Sequence, residues 1–337
     1  MIGPTVSAGY AKALTDLAVS RGASRPALLD RSGISSGDLL DQDNRIPFER
    51  FKALMRAAKA LCNDPALALH FGETSTFTEM SIVGLIAHAS ETMGEAFMQL
   101  NRYGRLVIEV DGGDSTDRFA NVPGHDGFWM EDRRTDPNDF PELTESTFAR
   151  FVCDCARLFP DTPLAKAVHV THAQPAYRTE YDRIFKAPVV FDSDRNALLI
   201  DASWPSRKIG GSNRYVFGIF SERAAALLKS LENAMTAKGR VESVLIPILH
   251  TGEAGMERVA KTMGLSRPTL YRQLKAEGVR YEALLDELRH RMALHYLNGK
   301  KVSVSQTAYL VGFADPSAFS RAFKRWTGSS PAQRRES

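Results

Sequence analysis

The sequence predicts an α+β domain followed by an all-α domain that contains two helix-turn-helix units. Three observations lead to this fold class. Short alternating segments lie among helical ones only before about residue 205, the rest of the chain has helical periodicity, and an Ala-x-x-x-Gly spacing occurs twice near the C-terminus. A chain of 337 residues is expected to form about two domains. We place the α+β domain at 1–208, a helical linker at 209–240 and the all-α domain at 241–337.

The α+β domain begins with a helical region. Apolar residues recur at helical spacing from Pro47 to Cys62, and Asn63-Asp64-Pro65 then supplies the Asp cap and early Pro that start another helix. Two more helical segments run from Ile82 to Ala89 and from Met93 to Tyr103. The first hundred residues are therefore predicted to be mainly helical.

Short strands are predicted in the second half of this domain, because partly alternating segments are bounded there by turn signals. The predicted strands are Leu106–Val110, Arg118–Val122, Phe128–Asp132, Ala167–Thr171, Pro188–Phe191 and Ala197–Ile200. The first three are separated by turns at Asp111-Gly112-Gly113-Asp114 and Pro123-Gly124-His125-Asp126-Gly127. A helix from Pro141 to Phe159 is predicted between the third and fourth strands, and the domain ends near Trp204-Pro205.

A long helix is predicted after Gly210-Gly211-Ser212 and extends to about Lys238. Its apolar residues recur at spacings of three and four and form a heptad-like seam. The seam residues are Phe217, Phe220, Ala224, Leu227, Leu231 and Ala234. Two interpretations remain open, since the seam could pair with its twin in a homodimer or pack on its own domain. Gly239-Arg240 is predicted to be the joint to the all-α domain.

Composition and motifs exclude several classes of protein. No run approaches the ~20 consecutive apolar residues of a membrane helix, and the N-terminus lacks the features of a secretory signal. Three cysteines, an odd number, favour a reducing compartment, so a cytoplasmic protein is predicted. The phosphate-binding, serine-hydrolase and zinc-protease motifs are absent from the sequence, so neither an enzyme nor a cofactor is predicted.

A metal site is superficially suggested by Cys153-Asp154-Cys155 with His169 and His172 downstream. Residues two apart on a helix point away from each other, so the two cysteines are not expected to share a metal ion. The two histidines are expected to face opposite sides of a strand. We therefore predict structural cysteines, ordinary polar or core histidines and no metal.

Charge is distributed unequally along the chain. From Val241 to Ser337 there are fifteen Lys and Arg residues against nine Asp and Glu residues, a net charge of +6. The preceding 240 residues carry a net charge of −3. A basic module attached to a slightly acidic one indicates that the C-terminal part alone meets a polyanion.

The first helix-turn-helix unit is predicted from Met256 to about Lys275. Ala260 is the small residue where the two helices cross, and Gly264 occupies the tight turn. Ser266 is the expected N-cap of the second helix. That helix is expected to bury Leu270 and Leu274 and to expose the side chains of Pro268, Tyr271, Arg272 and Lys275.

The second unit repeats this spacing, because Ala308 and Gly312 each lie 48 positions after Ala260 and Gly264. Asp315 is the expected cap of its second helix. The inner surface of that helix is predicted to consist of Ala318, Phe319, Ala322, Phe323 and Trp326, and the outer surface of Ser317, Ser320, Arg321 and Lys324. A helix from Tyr281 to Leu297 separates the units. Two copies within a basic module favour DNA binding over a generic helical hairpin.

The segment from Ala308 to Pro331, including Gly312-Phe313-Ala314-Asp315-Pro316-Ser317, resembles the AraC/XylS signature almost throughout. The resemblance covers about Val241 to Arg335 and implies a double, homeodomain-like helix-turn-helix fold. This chain departs from the family at Arg334, where an aromatic residue is usual. Three N-terminal segments resemble the arabinose-binding-type sensor domain of one AraC subgroup, whose members respond to varied effectors. They are Asn44-Arg45-Ile46-Pro47, Asn63-Asp64-Pro65-Ala66-Leu67-Ala68-Leu69, and Val170-Thr171-His172 before Pro175-Ala176-Tyr177.

The resemblance implies that two recognition helices, at about 267–276 and 316–326, enter successive major grooves of double-stranded DNA. The residues expected at base edges are Pro268, Tyr271, Arg272, Pro316, Ser317, Ser320 and Arg321. The residues expected at phosphates are Ser266, Arg267 and Lys324. Family habit implies an activator that meets RNA polymerase, is cytoplasmic and associates with the nucleoid when bound to DNA.

The α+β domain is expected to bind a small-molecule effector, with His88, Tyr103, Trp129 and His172 as candidate pocket residues. Two alternatives stay open. One is a ligand-independent regulator whose N-terminal domain serves dimerisation or protein contact. The other is an enzyme delivered by this DNA-binding module, such as an alkyl-transfer repair protein, which would need an activated cysteine thiolate.

Overall fold

The computed structural model describes residues 3–110, 117–298 and 302–336, and the chain divides into two units, 1–228 and 229–337. The division falls within a single helix and inside the linker predicted at 209–240. The first unit combines helices with two sheets, and the second is helical. The predicted α+β and all-α classes are thereby confirmed.

The N-terminal part of the first unit is mainly helical, as predicted. In chain order it contains β1 (Thr5–Ser7), α1 (Ala8–Ser20), α2 (Arg25–Ser32), β2 (Arg45–Pro47), α3 (Phe48–Leu61), α4 (Leu67–Thr74), α5 (Phe77–Met80), α6 (Ile82–Ala89) and α7 (Met93–Val107). β1 and β2 pair antiparallel, with Val6 opposite Ile46. The aromatic rings of Tyr10, Phe51 and Phe71 pack together, so α1, α3 and α4 share one apolar core.

The rest of this unit forms a mixed sheet with one long helix packed on it. Its elements are β3 (Phe119–Gly124), β4 (Gly127–Asp132), α8 (Pro141–Leu158), β5 (Ala165–His169), α9 (Arg178–Phe185), β6 (Val189–Val190), β7 (Asn196–Ile200) and α10 (Arg214–Met235). The strand order is β3-β4-β7-β5-β6, and only the β5–β6 pair is parallel. Phe148 and Phe151 of α8 belong to the same core as Met130, Val168 and Leu198 of the sheet.

The strand predicted at Leu106–Val110 is wrong. Helix α7 continues through Val107, and Ile108 then makes a single antiparallel bridge to Val6. Leu106 and Val107, in the last turn of the helix, pack against its apolar neighbours. The apolar residues that were predicted as a strand therefore belong to the apolar face of α7. The turn predicted at 111–114 lies outside the described residues.

The first half of the predicted seam packs on its own unit. Phe217, Phe220 and Ala224 of α10 join an apolar cluster with Val83 and Ile86 of α6. The Tyr103 hydroxyl donates a hydrogen bond to the Ser221 carbonyl oxygen at 3.4 Å in the same region. Of the two interpretations left open by the sequence, intramolecular packing therefore applies to this part of the seam.

The second unit begins with a helix break that the sequence reading did not place. Thr236 ends α10 and caps the next helix, since its hydroxyl oxygen accepts a hydrogen bond from the Gly239 N–H at 2.9 Å. Gly239 and Arg240, predicted as the joint, lie inside that helix. The elements are α11 (Ala237–Ile248), α12 (Met256–Thr262), α13 (Arg267–Ala276), α14 (Tyr281–Asn298), α15 (Val304–Leu310), α16 (Pro316–Thr327) and α17 (Pro331–Glu336).

Side chains from all but the last of these helices meet in one apolar core. Leu245, Leu270, Leu288 and Phe319 are completely buried in it. Among the described residues of the whole chain, no helix has the length and apolar content that crossing a membrane requires.

Candidate DNA interface and ligand cavity

The first helix-turn-helix unit consists of α12, a turn and α13. Ala260 is buried at the point where the helices meet, and Gly264 adopts a left-handed conformation with φ of +68° in the turn. Ser266 caps α13 by accepting a hydrogen bond from the Thr269 N–H at 3.3 Å. Leu270 and Leu274 are buried, so one face of α13 is held in the core and the opposite face is presented to solvent.

The second unit, α15 and α16, is built in the same way. Ala308 is fully buried, and Gly312 has a φ of +81°. A Cβ at Gly312 would lie 2.3 Å from the Leu249 carbonyl oxygen, so this position requires glycine for space as well as conformation. Asp315 caps α16 by accepting a hydrogen bond from the Ala318 N–H at 2.8 Å. The predicted second unit is confirmed in its helices, turn and cap.

The two recognition helices are equivalent at an offset of 49 residues rather than the 48 that relates the turn glycines. Their N-caps are Ser266 and Asp315, so the turn of the second unit is one residue longer. At this offset the buried Leu270 and Leu274 correspond to the buried Phe319 and Phe323. The outward-facing pairs are Arg272 with Arg321, Lys275 with Lys324, and Tyr271 with the half-buried Ser320.

The residues predicted at base edges lie on the outward faces of α13 and α16. Tyr271 is 56% exposed, and Pro268, Arg272, Ser317 and Arg321 are exposed as well. Pro316 and Ser320 are half-buried. Within the described part of the chain, neither Arg272 nor Arg321 has a carboxylate within ion-pair distance.

Three of the predicted contact hydroxyls already take part in local hydrogen bonds. The Ser317 hydroxyl donates to Asp315 Oδ2 at 2.6 Å, and the Ser320 hydroxyl donates to the Pro316 carbonyl oxygen at 2.9 Å. The Ser266 oxygen accepts from Thr269, as described above. Hydrogen bonds from Ser317 and from the Ala318 N–H also lower the pKa of Asp315. These hydroxyls therefore stabilise the starts of the helices, a role predicted from the sequence for Ser266 but not for Ser317 or Ser320.

The cations predicted at phosphates have no ion-pair partner among the described residues. Arg267 and Lys324 are exposed, and in the described residues neither forms an ion pair. Arg325, the neighbour of Lys324, instead pairs with Asp286 of α14 at 2.8 Å. Adjacent cations of α16 therefore differ in whether an acidic group already neutralises them.

Helix α14 connects the two units and fixes the second one. Arg289 of α14 donates from Nε to the Val311 carbonyl oxygen at 3.2 Å and from Nη2 to the Gly312 carbonyl oxygen at 3.3 Å. Its guanidinium also lies over the Phe313 ring, 4.9 Å from the ring centroid. The turn of the second helix-turn-helix is thus attached to the connecting helix by polar and aromatic contacts.

The first unit contains a cavity of about 70 Å³ between α7, α8 and β3. Apolar side chains, among them Val83, Leu100 and Phe151, form much of its wall. Three arginines, Arg105, Arg118 and Arg150, also line it. The sequence reading missed all three, although an Arg within the apolar run Phe148–Val152 was a signal that Arg150 is buried for a reason.

The four residues predicted to line an effector pocket are not brought together, and none of them lines this cavity. His88 is exposed, and Tyr103 packs against α10. The Trp129 ring lies 4.6 Å from the His169 ring on the other face of the sheet from Met130. His172 Nε2 is 3.0 Å from the Tyr181 hydroxyl.

The cysteines have no activating surroundings. Burial raises the pKa of Cys153 to about 11, and it also raises the pKa values of Cys155 and Cys62 above the ordinary range. In the residues that the structure describes, no group of three or more His, Cys, Asp or Glu side chains is placed to hold a metal ion. The thiols are therefore poor nucleophiles at neutral pH.

Comparison with known proteins matches both parts of the chain. Residues 22–209 match the family described as the arabinose-binding domain of AraC transcription regulator, N-terminal, and residues 259–337 match a helix-turn-helix domain. The chain is 27% identical to the ornithine utilization regulator of Pseudomonas aeruginosa, over 98% of this chain and 96% of that protein. It is 25% identical to the transcriptional regulator VirS of Mycobacterium tuberculosis, over 99% and 97% of the two chains.

A more local similarity covers the C-terminal region. The transcriptional activator RhaS of Escherichia coli is 34% identical over 34% of this chain and 41% of that protein. These relatives are all transcriptional regulators. The arabinose-binding model, which covers more than half of the chain, and the paired helix-turn-helix units lead to one conclusion: this protein belongs to the AraC family of DNA-binding transcriptional regulators.

Proposed function

We propose that α13 and α16 read two successive major grooves on one face of a promoter duplex. The observation that carries this proposal is the equivalence of Arg272 and Arg321, two exposed arginines at matching positions of the two helices. Their guanidinium groups are not neutralised by nearby carboxylates in the described residues, so all five donors of each remain available. A bidentate contact from arginine to guanine discriminates against the wrong base by ~1–3 kcal/mol.

The remaining predicted contacts follow from this orientation. Pro268, Tyr271, Pro316, Ser317 and Ser320 surround the two arginines and would meet base edges, the prolines through apolar contact. Ser266, Arg267 and Lys324 would meet phosphates and set the register of the helices on the duplex. Since the three serines already form local hydrogen bonds, we assign most of the base discrimination to the arginines.

We also propose that the N-terminal unit binds a small-molecule effector that favours the DNA-competent state. The description of the family that matches 22–209 and the cavity in this unit support a binding role. An effector can shift the population only by binding the competent state more tightly. By analogy with the transcriptional activator RhaS, the outcome is activation through RNA polymerase.

A homodimer is a further part of the proposal. Phe217, Phe220 and Ala224 are already packed in the first unit, so a dimer contact would use other residues. Sedimentation of the full-length protein with and without operator DNA tests this part.

The test of the main proposal is selection of binding sites from genomic fragments by the purified full-length protein, at fixed salt, with and without a metabolite extract. The expected result is a motif with two half-elements about 10 base pairs apart. The Arg272→Ala and Arg321→Ala variants should each relax the sequence of a different half-element. The Arg325→Ala variant is the matched control, because Arg325 lies on α16 but pairs with Asp286.

The outcomes separate the alternatives. Diffuse, salt-sensitive binding without a motif would contradict groove-specific reading. A motif whose occupancy never changes with the extract would favour the ligand-independent regulator over the effector-responsive one.

A further inference from the structure

We propose that the cavity of the N-terminal unit is the effector site and that it takes a ligand with a carboxylate group, recognised by Arg150. This inference deepens the proposed effector response and rests on it for its biological meaning. It names a ligand class that the relatives and the family description do not specify.

Arg150 is a buried cation that forms no ion pair among the described residues, and the Asp154 carboxylate acts on it only through a longer-range electrostatic interaction. Its side chain is only 2% exposed, yet within the described residues no carboxylate approaches it within ion-pair distance. Nη1 donates to the Tyr10 hydroxyl at 3.3 Å and Nη2 to the Ser75 hydroxyl at 3.1 Å. Nε is buried, and the residues that the structure describes provide no hydrogen-bond acceptor for it. A buried charge in this condition is unfavourable unless an anion compensates it.

Aromatic rings reduce this cost but do not neutralise the charge. The guanidinium carbon lies 5.1, 4.9 and 5.6 Å from the ring centroids of Tyr10, Phe71 and Phe77. Such contacts fix the orientation of the guanidinium plane. The N–H groups then point outward from the edge of that plane. The planar fork of donors matches the two oxygens of a carboxylate.

The other two cations of the cavity already have acidic partners. Arg105 Nη2 lies 3.6 Å from Glu109 Oε1. Arg118 donates from Nε and Nη2 to the carboxylate of Asp132, at 3.1 and 2.6 Å. Its Nη2 also reaches the Thr147 hydroxyl at 3.4 Å. Among the described residues, Arg150 is therefore the one arginine of the cavity wall without an ion pair, which suits a singly charged carboxylate better than a dianion, and which disfavours a purely cationic ligand.

The remaining wall suits a short apolar tail. Val83, Leu100, Val107 and Phe151 line the cavity together with Arg150. Gly104 of α7 also lines it, and among the described residues no atom of a packing neighbour lies within 4 Å of a Cβ placed there. A volume of about 70 Å³ corresponds to roughly two water molecules at ~30 Å³ each, enough for a carboxylate head group beside this open space.

The experiment measures ligand binding by the full-length protein without DNA. The probes are carboxylic acids of two to four carbons with straight and branched tails, each compared with its neutral amide. We expect at least one acid to raise Tm by about 3–10 °C at 10 to 100 times its Kd, while its amide does not. Calorimetric titration then gives the affinity of each member of the pair.

Two variants locate the site. Gly104→Leu should fill the cavity and abolish the shift, whereas Gly104→Ala should keep it and should itself be slightly stabilising in a helix. Arg150→Met should weaken the acid about 10- to 100-fold and leave its amide unchanged. Because Arg150 is buried and its replacement can impair folding, the Gly104 pair decides the location independently.

Three results would overturn the proposal: no acid binds, acid and amide bind equally, or binding survives in Gly104→Leu. Operator binding in the presence of the same acids is measured separately. If an acid occupies the cavity without altering operator binding, the effector response fails and the ligand site stands. If a metabolite without a carboxylate alters operator binding while no acid binds, the ligand class fails and the effector response stands.

Discussion

Arg272 and Arg321 lie at the same position of two equivalent helices, each six residues after its N-cap, Ser266 and Asp315. The match appears only when the longer turn of the second unit is taken into account. It places two identical recognition groups on one DNA-binding module, and it is the basis for the first prediction.

Replacing either arginine with alanine should weaken binding to the selected operator by about 10- to 100-fold, because a bidentate guanine contact is lost. Binding to a scrambled duplex should change much less. Fluorescence anisotropy at one fixed salt concentration measures both, and Arg325→Ala should behave like the unmodified protein. Equal losses on operator and scrambled DNA would assign the arginines to phosphates instead.

Replacing Arg267 or Lys324 with glutamine should reduce the salt dependence of binding. Each removed phosphate contact lowers the slope of log K against log salt concentration by about 0.9 on duplex DNA. The measurement is a salt titration on operator and non-specific duplexes. Lys238→Gln serves as control, since Lys238 is paired with Glu287 at 3.0 Å. An unchanged slope for both variants would show that these cations do not meet phosphates.

The two turn glycines should differ in their sensitivity to substitution. Gly264→Ala should cost about 1–2 kcal/mol, the strain of a left-handed conformation in an L-residue. Gly312→Ala should cost about 3 kcal/mol or more, because its Cβ would also meet the Leu249 carbonyl oxygen at 2.3 Å. Urea unfolding followed by circular dichroism gives both values. Equal losses of unfolding free energy in the two variants would mean that the backbone near Leu249 moves easily to make room for the Cβ.

Asp132 should contribute to stability in a pH-dependent way. Burial by itself raises its pKa, but the guanidinium groups of Arg118 and Arg134 outweigh burial and hold the pKa below its usual value. A carboxyl group whose pKa is lower in the folded state stabilises the fold above its unfolded pKa, about 3.9. That contribution disappears as the pH falls through the lower, folded value.

Asp132→Asn should therefore destabilise the protein by about 3–5 kcal/mol at pH 7, since it leaves a guanidinium unpaired. The difference from the unmodified protein should shrink as the pH falls below about 4. Thermal unfolding across pH 3–7 measures it. Asp16→Asn, which breaks the exposed pair with Lys12, should cost at most about 1 kcal/mol. A constant difference across this pH range would argue against the titration of Asp132.

Local patterns explain why the C-terminal unit could be predicted from the sequence. Each helix-turn-helix can be predicted without tertiary information, because its signals lie within about 20 consecutive residues. These signals are the crossing alanine, the turn glycine, the cap and the apolar spacing. The strand at Leu106–Val110 was mispredicted for the opposite reason. Whether those apolar residues end a helix or begin a strand depends on Val6, a residue distant in sequence.

The cavity of the N-terminal unit could not be predicted, because its wall is assembled from distant segments. Tyr10, Leu100 and Arg150 come from three different helices and Arg118 directly precedes β3, so these residues meet only in the folded unit. The predicted pocket residues were chosen because they are aromatic or histidine, and they lie apart from one another. His88 is on the surface, Trp129 is in the sheet and Tyr103 packs against α10. A pocket defined by an uncompensated buried charge is visible only when the partners of that charge are known.

Helix α14 contains 18 residues and is therefore about 27 Å long, and Arg289 attaches it to the turn of the second unit. Under the proposed binding mode, one chain carries both recognition helices. The separation of the half-elements is therefore set within that chain and does not depend on dimerisation. Each base pair inserted between them would rotate one half-element by roughly 34° about the duplex. In promoters that this protein regulates, the bases between the half-elements should therefore vary, whereas the number of base pairs between them should stay constant. This spacing should be the feature that such promoters share most consistently.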